Sequence, residues 1–150
     1  MTEEARYGKL TKAQLDAFLA QPVLARLGTA APAKEEPAAV QPHVTPVWFA
    51  WDGENLYISA FSSTRKVREV RNNPYISVLI DLADAVDGVT AVLMEGKCEW
   101  IREAAFVQEM SRRIYTHYMG EGVNAADPQS WIVDPENSII KLTPQKIYTW

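Results

Sequence analysis

LYISAFSSTRKVREVRNNP, residues 56–74, is the stretch on which the reading of this chain turns. Its first six residues, 56–61, alternate as a strand does. Ser62-Ser63-Thr64 then turns the chain. Arg65, Lys66, Arg68 and Arg71 follow on a short helical pattern that Asn72-Asn73-Pro74 ends. A new strand pattern begins at Tyr75. Strand, hydroxyl-rich turn and basic helix start together make a seat for a phosphate. The first turn of a helix has unpaired backbone N–H groups and the positive end of the helix dipole. Arg65 offers a planar fork for phosphate oxygens, and Lys66 a compact charge. The solvated face of a surface helix carries the same residue types, so the rest of the chain has to decide between the two.

Upstream, residues 41–51 (QPHVTPVWFAW) read as a strand that turns through Asp52-Gly53 into residues 56–61. Pro46 cannot donate a ladder hydrogen bond, so an edge or a bulge is expected there. Residues 23–30 give an earlier strand, in which Arg26 is either an outward-facing residue or a charge aimed at a ligand. Between these strands, residues 31–39 (APAKEEPAA) lack a strand period and are expected to form a mobile loop. Thr11 and Gln14 form a capping-box pattern, which predicts an N-terminal helix over residues 11–20 with Leu15, Phe18 and Leu19 on its apolar face.

Downstream, residues 75–82 read as a strand, 83–88 as an acidic turn and 89–101 as a long strand. Gly96 in that strand marks a bulge or a close backbone approach. Residues 103–118 predict a helix with Phe106, Met110, Ile114 and Tyr115 or Tyr118 on one face. Residues 124–134 are irregular or briefly helical, with Trp131 as a buried packing residue. Residues 138–150 give a last strand, with an edge or bend at Pro144. About six strands joined by hairpin turns, with three helices, predict a mostly β fold. An antiparallel barrel with helices added outside fits better than a βαβ sheet. Residues 1–150 read as a single domain.

The totals exclude several classes. A net charge of −4 argues against general nucleic-acid binding, so the basic stretch is a local feature. Cys98 is the lone cysteine, and His43 and His117 lie far apart, which disfavours a disulfide or a Cys/His metal site. No run approaches the length of a membrane span or a signal peptide, and the expected location is the cytoplasm.

These pieces, in this order, resemble the pyridoxamine 5′-phosphate oxidase-like superfamily. The matching segments are PVLARLGTA, QPHVTPVWFAWDGENLYIS, SSTRKVREVRNNPYISVLI, VLMEGKCEWI and SIIKLTPQKIYTW. The most specific are the PVWF strand and the RK…NNP segment. The resemblance implies a six-stranded split β-barrel and a homodimer with cofactor sites at the subunit interface. It implies FMN, whose phosphate Arg65 and Lys66 would hold with help from Ser63 and Thr64. Thr45, Pro46, Val47 and Trp48 would lie along the flavin ring, with Ile58 and Ser59 beside it. In two places the chain departs from the true oxidase. Ala91 stands where the oxidase has a glutamine, and its C-terminal Arg-x-His substrate segment is absent, so vitamin B6 chemistry is not expected.

With a flavin bound, the coenzyme carries the redox chemistry and no catalytic side chain is required. The leading expectation is an FMN-dependent oxidoreductase acting on a small molecule. A close variant uses the deazaflavin coenzyme F-420, whose longer anionic tail calls for further basic groups such as Arg68 or Arg71. Two other classes stay open: a non-catalytic flavin, haem or tetrapyrrole binder or stress protein, and a structural dimer with an empty site.

Overall fold

Eight strands and four α-helices are found in a computed structural model that describes residues 6–36 and 38–150. The strands are Ala25–Thr29 (β1), His43–Val47 (β2), Phe49–Trp51 (β3), Leu56–Phe61 (β4), Tyr75–Val86 (β5), Val89–Ile101 (β6), Asn137–Leu142 (β7) and Lys146–Thr149 (β8). The helices are Lys12–Leu19 (α1), Arg65–Asn72 (α2), Ala104–Met119 (α3) and Ala126–Val133 (α4). All strand pairs are antiparallel, in the order β2-β1-β5-β6-β7-β4-β3, with β8 added on β6.

The two ends of that order, β2 and β3, are consecutive in the chain and separated by Trp48 alone. The sheet therefore curls back on one run of backbone, which is consistent with a split barrel. The expected count of six strands is corrected to eight. The run 41–51 breaks at Trp48, and the run 138–150 breaks after Leu142, where Thr143-Pro144 bends the chain before β8. A proline cannot continue the ladder, so the second break follows from Pro144. The first lies two residues past Pro46, which occupies the edge strand β2.

Other expectations shift in detail. Thr11 and Gln14 form the full capping box of α1. Strand β5 extends to Val86, so the acidic turn shrinks to Asp87-Gly88, both at positive φ. This is the hairpin geometry that Asp-Gly favours. Gly96 is a close approach: a Cβ there would lie 3.0 Å from the Thr143 carbonyl oxygen. The segment after α3 contains the regular helix α4, and Trp131 on it is 39% exposed rather than buried. In the 31–39 loop, Pro32 bridges Val40 among the described residues.

The burial pattern divides the core in two. Inside the curl, Leu27, Val47, Phe49, Leu56, Ile58, Val78, Ile80, Val92 and Met94 pack into an apolar interior closed by α1 and α2. On the other face of β4 and β7, Tyr57 and Ile139 pack against Val107, Met110, Ile114 and Tyr115 of α3 and Ile132 of α4. Strand alternation sends Leu56, Ile58 and Ala60 inward, and Tyr57 and Ser59 toward α3.

Candidate functional site

Helix α2 begins where the hydroxyl-rich turn leaves β4, and it packs on β1, β4 and β6. Its N-cap, Thr64, does not cap it. The Thr64 hydroxyl turns back and donates to the Phe61 carbonyl at 2.7 Å. The first bond of the helix is from the Arg68 N–H to the Thr64 carbonyl at 3.1 Å. The amides of Arg65, Lys66 and Val67 precede it, so they keep their donor capacity. Ser63 is also committed: its hydroxyl donates to Glu136 Oε2 at 3.0 Å. What the turn offers an anion is therefore backbone N–H groups rather than side-chain hydroxyl protons.

The two cations behind the turn differ. Lys66 is half-buried and makes neither a hydrogen bond nor an ion pair among the described residues. Burial lowers its pKa from the ordinary lysine value. Arg65 is exposed, and its Nε donates to Glu69 Oε2 at 2.5 Å. Glu69 is 8% exposed. It also accepts the Thr29 hydroxyl of β1 at 2.9 Å. Burial works to raise the Glu69 pKa, but the Arg65 and Thr29 hydrogen bonds and the Arg65 charge hold it below the ordinary carboxylate value, with a smaller contribution from His43. At the other end of α2, Asn73 donates from Nδ2 to the Ala30 carbonyl at 2.6 Å, which pins the helix to the end of β1.

The cross-strand register places β2 beside this cluster. His43 lies opposite Thr29, Thr45 opposite Leu27 and Val47 opposite Ala25, so all three face inward. The Thr45 hydroxyl oxygen is buried and has no hydrogen-bond partner among the described residues. A buried polar atom of this kind normally has a partner. Pro46, with Arg26 opposite it, faces outward, and Arg26 pairs with Asp81 of β5.

The ring side of the expected site is arranged differently. Trp48 stacks on Tyr118 of α3, with centroids 4.7 Å apart and planes 2° apart, and meets Tyr115 edge-on at 6.0 Å. The Tyr118 hydroxyl donates to the Val23 carbonyl at 2.7 Å and accepts the Phe49 N–H at 3.2 Å. Ser59 donates to Asn137 Oδ1 at 3.0 Å and shares a 3.1 Å hydrogen bond with the Tyr115 hydroxyl. Asn137 Nδ2 in turn donates to Ser111 at 2.9 Å. Burial raises the pKa of both Tyr115 and Tyr118.

The ten residues picked out from sequence thus divide. Ser63, Thr64, Arg65 and Lys66 gather at the start of α2, with Thr45 lining the inner face of β2. Val47 and Ile58 are sealed in the curl, Pro46 faces outward, and Trp48 and Ser59 lie under α3. Sequence reading missed Glu69 and Thr29. Glu69 was readable as the i+4 partner of Arg65, whereas nothing local points to Thr29. Arg71 turns to the β6 flank, its guanidinium 4.7 Å from the Trp100 ring centroid. His43 and His117 stand on separate elements, β2 and α3, and no group of three metal-ligating side chains gathers among the described residues.

A groove of about 480 Å³ runs over the outer face of the same strands. Gly28, Val44, Ser77, Glu95 and Lys146 form one row across it. Val44 is 63% exposed and Tyr75 60% exposed on this face.

A family model described as pyridoxamine 5′-phosphate oxidase matches residues 11–150. The chain belongs to this family. Among solved structures, a conserved hypothetical protein, Rv2991 from Mycobacterium tuberculosis, superposes with a TM-score of 0.76 at 20% identity, covering 100% of this chain and 89% of that one. An F420 reductase superposes with a TM-score of 0.66 at 22% identity, covering 88% and 94%. The flavocytochrome Anf3 from Azotobacter vinelandii gives 0.64 at 19% identity, covering 90% and 64%. At these identities the likeness is one of fold. No curated protein matches the sequence. Members of the fold family bind flavin, F420 or haem. Among the described residues no helix is long and apolar enough to cross a membrane.

Proposed function

We propose that the chain binds a tricyclic redox coenzyme, FMN or the deazaflavin F-420, and acts as an oxidoreductase on a small molecule. The observation that carries this reading is the start of α2. Three N-terminal amides, the half-buried Lys66, which has no partner among the described residues, and the outward end of Arg65 belong to this first turn, on a helix tied to β1 through Glu69 and Thr29. An anion in this position would receive backbone hydrogen bonds, the helix dipole and two positive charges. Its charge would also offset the cost of burying the Lys66 ammonium. The orphan Thr45 hydroxyl supplies a hydrogen bond to a polar edge of the ligand.

The edge strand β2 pairs on one side only, so backbone groups on its other side are available to a flat ring. The coenzyme, when bound, supplies hydride or electron transfer. The residues of this chain bind it, orient it and exclude water. Trp48 and Ser59 act from behind the strand, by fixing its shape. The apolar part of the outer sheet face, around Val44, Tyr75 and Tyr148, supports a homodimer with the coenzyme at the interface.

Absorbance and fluorescence of the purified protein, as isolated and after titration with FMN and with F-420, test the reading. The Arg65→Ala/Lys66→Ala variant is expected to lose coenzyme affinity by about a hundredfold, as removal of two charge-assisted contacts implies. A variant that binds like the wild type would falsify it. Light scattering on a Val44→Glu/Tyr75→Glu variant tests the dimer, and a wild type that runs as a monomer removes that part.

A further inference from the structure

Helices cover one half of the outer face of the curled sheet. α3 and α4 pack on β3, β4 and β7. The other half, on β2, β1, β5, β6 and β8, is bare among the described residues: Val44 is 63% exposed, Tyr75 60%, Trp150 56% and Tyr148 41%. Leu79 and Leu93, paired across β5 and β6 at its centre, are half-buried. Strand spacing and rise give this face a footprint of roughly 25 by 20 Å, the scale of a standard interface. A contiguous apolar face of that size marks an interaction surface.

The face carries both a groove and a side chain to fill it. Gly28 and Ser77, opposite each other on β1 and β5, floor the groove of about 480 Å³, and Val44 and Tyr75 wall it. The backbone does not require glycine here. Gly28 is not at positive φ, and a Cβ would lie 3.5 Å from the Ser77 carbonyl oxygen, an ordinary contact. What the glycine provides is the depth of the groove. Trp150 and Tyr148 project from the β8 side of the same face, their ring centroids 6.5 Å apart. The Trp150 N–H donates to the Ala91 carbonyl at 3.1 Å, which fixes its place in the register. From β1 to β8 is three strands, and from the row of Ser77 to that of Ala91 is four residues, so the indole lies about 20 Å from Gly28. Trp150 therefore cannot reach the groove of its own chain. A two-fold axis in the plane of the face, midway between the two, brings each copy's indole over the other's groove. The charges permit this approach. Arg26, Lys97 and Lys146 stand on the face against Asp81 and Glu95, so it lacks the acidic excess of a chain whose net charge is −4.

We infer that the partner's Trp150 fills the groove over Gly28, reciprocally, so that each subunit supplies an aromatic wall to the other. The inference rests on the homodimer reading above and names the residue and the cavity through which the two copies meet. One end of the groove is Thr29, whose hydroxyl donates to Glu69 at 2.9 Å. The partner's Trp150 then lies beside the strand that anchors α2.

Sedimentation velocity across a concentration series gives the dimer dissociation constant of the full chain. Trp150→Ala and Gly28→Val should each weaken the dimer at least about tenfold, the scale of a buried aromatic anchor. Trp150→Phe keeps a ring and should lose less. Val133→Ser, at an exposed apolar residue of α4, should change nothing. Gly28→Val places a strand-favouring residue in β1 with no clash at its Cβ, so its thermal midpoint as a monomer should hold or rise. The fluorescence difference between wild type and Trp150→Phe should shift to the blue as the dimer forms.

A wild type that stays monomeric overturns the inference and the homodimer reading together. A dimer left intact by either Trp150→Ala or Gly28→Val overturns the inference alone, because the copies then meet without the indole in the groove. If both variants stay dimeric and Gly28→Val loses FMN or F-420, the groove takes a small molecule instead, and the inference falls.

Discussion

The start of α2 and the region under α3 lie at opposite ends of the site read from sequence, and they differ in what they leave free. At α2, three amides and the Lys66 ammonium, and on the neighbouring β2 the Thr45 hydroxyl, have no protein partner among the described residues. Under α3, Trp48, Ser59, Tyr115, Tyr118 and Asn137 are all engaged with one another or with backbone. Polar groups without partners are costly unless something binds them, whereas a satisfied network rigidifies its surroundings. The first region has the chemistry of a receptor and the second that of a scaffold.

The comparison breaks if changes under α3 act on binding, or changes at α2 act on stability, in the wrong proportion. The largest effect should come from Tyr118→Ala. It removes the ring stacked on Trp48 and orphans the Val23 carbonyl and the Phe49 N–H. Loss of about 3–5 kcal/mol is expected in urea unfolding. Asn137→Ala should follow, at about 2–3 kcal/mol, because it strands Ser59 and Ser111 in a buried network. In both variants, coenzyme affinity measured on the folded fraction should change far less than in Arg65→Ala/Lys66→Ala.

Thr45→Val has the opposite sign. It replaces an unpartnered hydroxyl with a methyl of similar shape, so the unliganded protein should be unchanged or stabilised by up to about 1 kcal/mol, while coenzyme affinity falls several-fold. A clear loss of stability would show that the hydroxyl already has a partner. The smallest effect is in acid. The Glu69 carboxyl is held below its ordinary value of 4.5, so its contribution is complete above about pH 4.5 and lost as pH falls through the lowered folded value. Glu69→Gln should flatten that part of the stability–pH curve, as thermal melts across the acid range would show.

What could be read from sequence follows the range of the interactions. The strand–turn–helix at residues 56–72 is local, and its strand alternation, its turn residues and the Asn72-Asn73-Pro74 stop place it correctly. So are the capping box of α1 and the Asp52-Gly53 turn, where Asp52 accepts the Glu54 and Asn55 amides. The partners of Trp48 and Ser59 come from α3 and from Asn137, more than fifty residues later, and no local pattern announces them. Thr29, forty residues before Glu69, was unreadable for the same reason. The break at Trp48 was displaced by two residues from the proline that suggested it, because the position of a break is set by how β2 and β3 join different neighbours.

That join has a consequence for the order in which the molecule can assemble. β1 has to wait for β5, and β4 for β7, so the first hairpins made on a ribosome emerge with exposed backbone edges. Sheet closure depends on contacts between distant parts of the chain, which slows folding and lengthens the time those edges are open to other chains. Slow, chaperone-sensitive maturation is the expected outcome, and truncation before Leu142 should yield aggregates instead of a smaller folded unit.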